Sequence, residues 1–217
     1  MIAPQSGEIA VDVMCDSGIG ADALAKTGAL VTAVDTDAAV VASAATQARR
    51  AVTVTHIPDG VLPFADSTVS AVISLFTIGL APAPAGMLEE VGRVLAPGGR
   101  AALAVWDPDN SAESLLHSVW ADAGIPCPFL DALVAPRLEG GVSWLSEQSL
   151  RDVARFDGID HFWLGMVQRR PLIDSIIGLD LAQRDALKTR CVEMLAPYTG
   201  ADGTMRIPVT ARVWTTQ

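Results

Sequence analysis

The stretch from Ile9 to Asp37 constrains the fold more than any other part of the chain. Ile9–Val13 is apolar except for Asp12; Gly18 and Gly20 follow in a short turn, and Val31–Val34 is a second apolar run with Asp35 at its tip. Strand, glycine-bearing turn, helix and strand in this order form a β-α-β unit of a parallel sheet, in which ligands sit beyond the carboxyl ends of the strands. Gly18 and Gly20 let the backbone turn sharply and come close to a ligand. Asp35 stands where a carboxylate can accept hydrogen bonds from both hydroxyls of a ribose.

The same alternation continues. A short helix over Ala21–Thr27 is closed by Gly28, and an alanine-rich helix follows over Asp37–Arg50. Ala51–His56 reads as a third strand, and Pro58–Phe64 as a loop by its prolines and glycine. Val69–Phe76 is the continuous apolar run of a strand buried on both faces. Met87, Leu88, Val91 and Leu95 share one face of a helix over Ala83–Leu95. Ala96-Pro97-Gly98-Gly99 stops that helix before a fifth strand, Arg100–Trp106. Helical crossovers between these strands predict that the first five are parallel. Beyond Trp106 the pattern predicts a helix over Ser111–Ala123 and a loop insertion at about 124–145. It further predicts a helix capped by Ser146 and running to Ala154, with Glu147 in its first turn. A sixth strand is expected over Ile159–Val167, helices over Pro171–Ile177 and Leu181–Ala196, and a last strand over Thr204–Thr215.

Composition narrows the partners. The chain has 217 residues, half of them apolar and 18% charged, which suits one α/β domain over residues 1–217 with a full core. Its net charge is −10 and it has two lysines, Lys26 and Lys188, so a phosphate backbone would be repelled and nucleic acid is not an expected partner. Arg49-Arg50 and Arg169-Arg170 are the basic pairs. Cys15, Cys127 and Cys191 are an odd, widely spaced set without C-x-x-C, which points to buried or free thiols in a reducing cytoplasm and to no metal site. The longest uncharged run, Val69–Ala85, is too short and too interrupted to span a bilayer, and no signal peptide precedes the first strand. A soluble, cytoplasmic protein is therefore expected, with no membrane partner and with a homodimer as a compatible assembly.

Two motifs then carry a family resemblance. Leu62-Pro63-Phe64-Ala65-Asp66, an apolar strand, and Arg93-Val94-Leu95-Ala96-Pro97-Gly98-Gly99-Arg100 follow in this order and spacing. With the Ile9–Asp37 unit they closely resemble class I S-adenosylmethionine (SAM) dependent methyltransferases of the small-molecule, quinone-biosynthesis type. The resemblance covers residues 8–107 well and the remainder loosely. It implies a Rossmann-like α/β fold: a seven-stranded, mostly parallel sheet with the last strand antiparallel and helices on both faces. It also implies a cofactor-binding half over 1–107 and a substrate-side half over 108–217. Three departures stand out. Met14 and Asp16 fill the first two of the family's three alternating glycine places, leaving Gly18, and Ser70 replaces an acid often found at the start of the fourth strand. The one or two helices that usually precede the first strand and close over the cofactor are missing, so the lid is shortened, comes from a partner, or lies upstream.

The resemblance implies SAM as methyl donor and a small, rather apolar metabolite as acceptor. It places Asp12, Cys15, Asp16, Gly18, Asp35, Thr36, Asp59 and Phe76 at the cofactor. Asp35 is the ribose binder. Asp12 orders the turn or has a merely capped, structural role; Asp16 opposes the carboxylate of SAM or faces its ammonium or sulfonium; Asp59 meets the adenine amino group or is a solvated turn residue. Alignment of the reactants carries much of the rate in such a transfer, with a general base as an aid. His56, ending the third strand, is the candidate base, with His117 and His161 less well placed. The Phe76-Thr77-Ile78-Gly79 segment is apolar and suits an apolar acceptor, and Trp106, Trp120, Trp144 and Trp163 are either pocket or core residues. Two other readings stay open. One is a non-catalytic or SAM-independent protein on this fold. The other is a nicotinamide-binding oxidoreductase, since Gly18-x-Gly20-x-x-Ala23 matches a dinucleotide fingerprint with Asp35 seventeen places after Gly18. Against the latter, Cys15–Ser17 separate that fingerprint from its strand, and the chain's one tyrosine and two lysines form no Tyr-x-x-x-Lys pair.

Overall fold

Strand β1 (Ile9–Val13) lies between β2 (Leu30–Asp35) and β4 (Val69–Leu75) and pairs parallel to both. The computed structural model describes residues 2–48, 51–107, 109–127, 145–167 and 170–216. Outside β2 lies β3 (Val52–His56), and beyond β4 lies β5 (Leu95–Trp106), both again parallel to their neighbours. Two more strands, β6 (Leu145–Phe156) and β7 (Met205–Thr216), complete a seven-stranded sheet of order β3-β2-β1-β4-β5-β7-β6. The last strand runs antiparallel to β5 and β6, as expected.

Alternation along β1 shows how both faces are covered. Val11 and Val13 join Val34, Val72 and Leu103 in a core closed by Leu88, Val91 and Val94 of helix α3 (Pro84–Val94). Ala10 points the other way, packing with Ala33 and Ala71 against Ala21 and Leu24 of α1 (Ile19–Ala25) and Ala44 of α2 (Ala38–Gln47). Strands sandwiched in this way have no solvent face, hence their unbroken apolar sequence. The small residues on the α1/α2 face let those helices approach closely. Asp37 starts α2 by accepting the N–H groups of Ala39 and Val40 at 2.7 and 3.4 Å.

By its contacts the chain divides into two compact units. The first is Met1–Val105 with the start of β6 and the end of β7; the second runs from Trp106 to Ala211 without that start of β6. The second unit has its own core, made by Leu116 and Trp120 of α4 (Ala112–Asp122), Phe162 of α5 (Ile159–Val167), Leu172 of α6 (Arg170–Ile177) and Leu187 and Cys191 of α7 (Leu181–Leu195). Ser111 with Ser114, and Asp180 with Gln183, form reciprocal capping boxes that start α4 and α7. The indole N–H of buried Trp120 donates to Ser175 Oγ at 2.8 Å, satisfying the one polar group of that side chain.

Two expectations are corrected here. Ile159–Val167 is helix, not strand. Apolarity alone does not separate a buried helix from a strand; Phe162 is fully buried, Ile159 and Trp163 pack beside it, and these positions share one helical face. Conversely, Ser146–Ala154 is not a helix but part of β6, at the edge of the sheet. Its polar sequence favours a helix locally, but pairing with β7 overrides that preference. Ser146 Oγ donates to the Thr215 carbonyl at 3.4 Å instead of capping a helix, and Glu147 lies 3.9 Å from Arg212. Arg49-Arg50, Arg169, Trp144 and most of the loop insertion expected at 124–145 lie outside the described residues.

Candidate functional site

Helix α1 begins without a side-chain cap of its own; its N-cap, Gly18, is left-handed at φ 77°. The cap comes from the strand instead. Asp12 Oδ2 accepts the Ala21 N–H at 2.7 Å, which neutralises a free donor of the first turn. Gly20 makes room for this: a Cβ there would stand 2.7 Å from the same oxygen and 2.8 Å from Ile73 Cδ1. Gly20 thus serves helix–strand packing rather than approach to a ligand, and of the two glycines it is Gly18 that has the left-handed backbone expected of the turn. Burial pushes the Asp12 carboxyl up to about 7, against the pull of the Ala21 N–H, with smaller upward contributions from Asp35 and Asp16.

The turn between β1 and α1 keeps the backbone of a glycine turn without its glycines. Met14 and Asp16 have φ of 55° and 45°, followed by Gly18 at 77°. Four non-glycine residues among those described have such φ values, and three of them stand at strand tips around this turn: Met14, Asp16 and, after β4, Phe76 at 66°. Side chains in this region are strained, and clusters of them mark functional sites. The Met14 side chain turns into the core and is 4% exposed, whereas Asp16 is exposed.

Asp35 closes the other side of the turn. Its Oδ2 accepts the Asp16 N–H at 3.3 Å and its Oδ1 the Asp37 N–H at 3.1 Å. A carboxylate offers about four lone-pair sites, so acceptor capacity remains beyond these two bonds. Burial raises its proton affinity, the three backbone N–H groups of Asp37, Asp16 and Thr36 opposing it. The turn backbone and Asp35 therefore fit the sugar and amino-acid parts of a nucleoside such as SAM.

The other candidates divide. Cys15 is buried, and burial with the charges of Asp12, Asp35 and Asp16 pushes its thiol up to about 12, so it is a neutral core residue. Thr36 Oγ1 lies 3.9 Å from Met14 Sδ, which puts it against the turn. Asp59 is exposed and its Oδ1 accepts the Val61 N–H at 3.2 Å. His56 pairs with Asp35 in register, and its Nε2 lies 3.1 Å from the Thr36 carbonyl. Phe76 N–H donates to the Ala104 carbonyl at 2.8 Å. His161 meets the Asp157 N–H through Nδ1 at 3.1 Å, within the second unit.

A clamp that sequence reading did not anticipate joins the two motifs of the family resemblance. Arg93 Nε and Nη2 grip Glu90 at 2.7 Å each, Nη1 reaches the Phe64 carbonyl and Asp66 at 2.8 Å each, and Nη2 reaches the Leu62 carbonyl at 3.1 Å. Glu90 Oε2 in turn accepts the Leu62 N–H at 2.9 Å. All five guanidinium donors are used. The legible signal was the i, i+3 pair Glu90 and Arg93 on one helix face.

Residues 11–103 match the family model described as a methyltransferase domain. A curated relative, the demethylmenaquinone methyltransferase of Tropheryma whipplei (strain Twist), is 32% identical over 101 residues. That alignment takes in 46% of this chain and 42% of the relative, so the chain spans less than half the length of the curated relatives it matches. Among solved structures, the YcgJ protein from Bacillus subtilis has a TM-score of 0.60 at 14% identity, over 97% of this chain and 92% of that one. Haemonchus contortus phosphoethanolamine N-methyltransferase 2, in complex with SAM, has a TM-score of 0.56 at 15% identity, over 99% of this chain and 49% of that one. At such identities these structures establish the shared fold.

Proposed function

We propose that this chain binds SAM at the β1–α1 turn and transfers its methyl group to a small, rather apolar metabolite. The observation that carries the reading is the left-handed path through Met14, Asp16 and Gly18 beside the buried carboxylate of Asp35. Bound there, SAM supplies an electrophilic methyl group on a sulfonium. The chain's part is to bind and orient: Asp35 receives the ribose hydroxyls, and the clamp of Arg93 and Glu90 holds the Leu62–Asp66 loop in one form. Holding reactants in line accounts for much of the rate of such a transfer. His56 is the candidate base; in the tautomer that donates Nε2–H to the Thr36 carbonyl, its Nδ1 carries the free lone pair. The apolar Phe76–Gly79 segment and the name of the curated relatives, which refers to demethylmenaquinone, support an apolar acceptor.

No helix among the described residues is long and apolar enough to cross a membrane, and the three cysteines are free and buried. The reading therefore includes a reducing, cytoplasmic setting, with the net charge of −10 arguing against a nucleic-acid acceptor. A homodimer is kept as the assembly to be checked by light scattering. A second reading, use of the fold without SAM, draws on one observation: the exposed Asp16 carboxylate stands on the turn that would meet the carboxylate of SAM. Calorimetric titration with SAM, with its demethylated product and with NAD decides between them. Saturable binding of the first two alone is the expected result; absence of binding at millimolar concentration overturns the proposal.

A further inference from the structure

Two strained residues stand at neighbouring strand tips, and one hydroxyl ties them together. Thr77, directly after left-handed Phe76, donates Oγ1–H to the carbonyl of left-handed Met14 at 2.5 Å, a contact between residues 63 apart in sequence. The Leu75 carbonyl lies 3.3 Å from the same oxygen, but one hydroxyl has one proton and the shorter contact takes it. Thr77 is itself held from behind: its carbonyl accepts the Leu80 N–H at 2.9 Å and the adjoining Ile78 is fully buried.

The consequence follows from the missing glycines. A residue with a β-carbon leaves the left-handed region unless contacts hold it there, and the penalty is of the same size as the net gain of one hydrogen bond. If Met14 relaxed to an extended conformation, the peptide joining it to Cys15 would rotate. The Asp16 N–H would then leave Asp35, and the Gly18 N–H would leave the Cys15 carbonyl, which it meets at 2.8 Å. We propose that Thr77 is a positioning residue for the cofactor turn: its hydroxyl, donated to the Met14 carbonyl, keeps a turn without its first two glycines in the form that receives the nucleoside. This rests on reading that turn as the SAM site.

The test compares Thr77→Val, which keeps the shape and removes the hydroxyl, with Thr77→Ser, which restores the hydroxyl. Binding of S-adenosylhomocysteine is measured by calorimetry, with melting curves to verify folding. Thr77→Val is expected to weaken binding about tenfold, one hydrogen bond's worth, and Thr77→Ser to stay close to the parent. Equal affinity for Thr77→Val and the parent overturns the proposal, as does equal loss in both variants. Amide hydrogen exchange in the ligand-free protein separates this idea from the reading beneath it. Faster exchange at Asp16 and Gly18 in Thr77→Val but not in Thr77→Ser upholds the clasp even if the parent binds no nucleoside; unchanged exchange refutes it. Should Thr77→Val fail to fold, Thr77→Ala carries the same comparison.

Discussion

Asp12 and Gly20 share one contact: the carboxylate oxygen that caps Ala21 lies 2.7 Å from where a Cβ on Gly20 would stand. Gly20→Ala therefore forces the helix off the strand or the carboxylate off the helix. Overpacking of this kind destabilises by about 1–3 kcal/mol. Urea denaturation should report a loss in that range, and an unchanged midpoint would show that α1 shifts freely.

The same carboxylate makes stability depend on pH. Folded Asp12 titrates at about 7, against 3.8 for an ordinary aspartate. Between those values the folded chain binds more protons than the unfolded one, so acidification stabilises it, by up to about 1.4 kcal/mol per pH unit for one group. Asp35, also raised, acts in the same direction, while Glu8, Glu90 and Asp202, all lowered, take stability away only below their ordinary values of 4.5, 4.5 and 3.8. Melting temperature should rise as pH falls from 8 to 5.5, and Asp12→Asn should flatten that rise. A melting temperature that drops over this window contradicts the assignment.

Asp35→Ala should weaken binding of SAM or S-adenosylhomocysteine by about 1–3 kcal/mol, the usual loss when hydrogen bonds to a charged group are removed. Calorimetry reads this directly. Unchanged affinity would take Asp35 out of the site.

Asp16→Gly removes both a charge and a strained backbone. A β-carbon at φ 45° costs about 1–2 kcal/mol, partly offset by the extra chain entropy of glycine in the unfolded state. Affinity for SAM should rise by about 1–2 kcal/mol if repulsion between carboxylates dominates, and added salt should narrow the difference. A loss of affinity would make Asp16 a ligand of the ammonium or sulfonium instead.

Arg93→Lys keeps the charge but replaces a five-donor fork with a point charge, leaving the Leu62 and Phe64 carbonyls unserved. Hydrogen exchange over residues 62–66 should accelerate while that of β1 does not. Equal protection in parent and variant would show that Glu90 holds the loop alone.

Much of the first unit was legible because its strands are buried on both faces and its turns carry glycine and proline. At the tips of β1 and β2 the acids Asp12 and Asp35 stand out in the sequence, and the structure buries both beside the turn. What Gly20 does could not be read, since it depends on Ile73, a strand away. The sequence also hid the left-handed form of Met14 and Asp16, because a residue type that disfavours a conformation gives no sign that tertiary contacts impose it. Beyond Trp106 the failures have two causes. Ile159–Val167 is apolar enough for either period, and Ser146–Ala154 takes its form from β7, a segment about 60 residues away.

The clasp between Thr77 and Met14 also limits how this chain can drift. A turn of three glycines tolerates change in the strand next door, because glycine needs no help to stay left-handed. Here position 14 must fill the core and bend the wrong way at once, so its fate is bound to a hydroxyl 63 residues downstream. Random libraries at the two positions should return correlated survivors: substitutions that drop the hydroxyl at 77 persist where glycine has returned at 14, and seldom elsewhere.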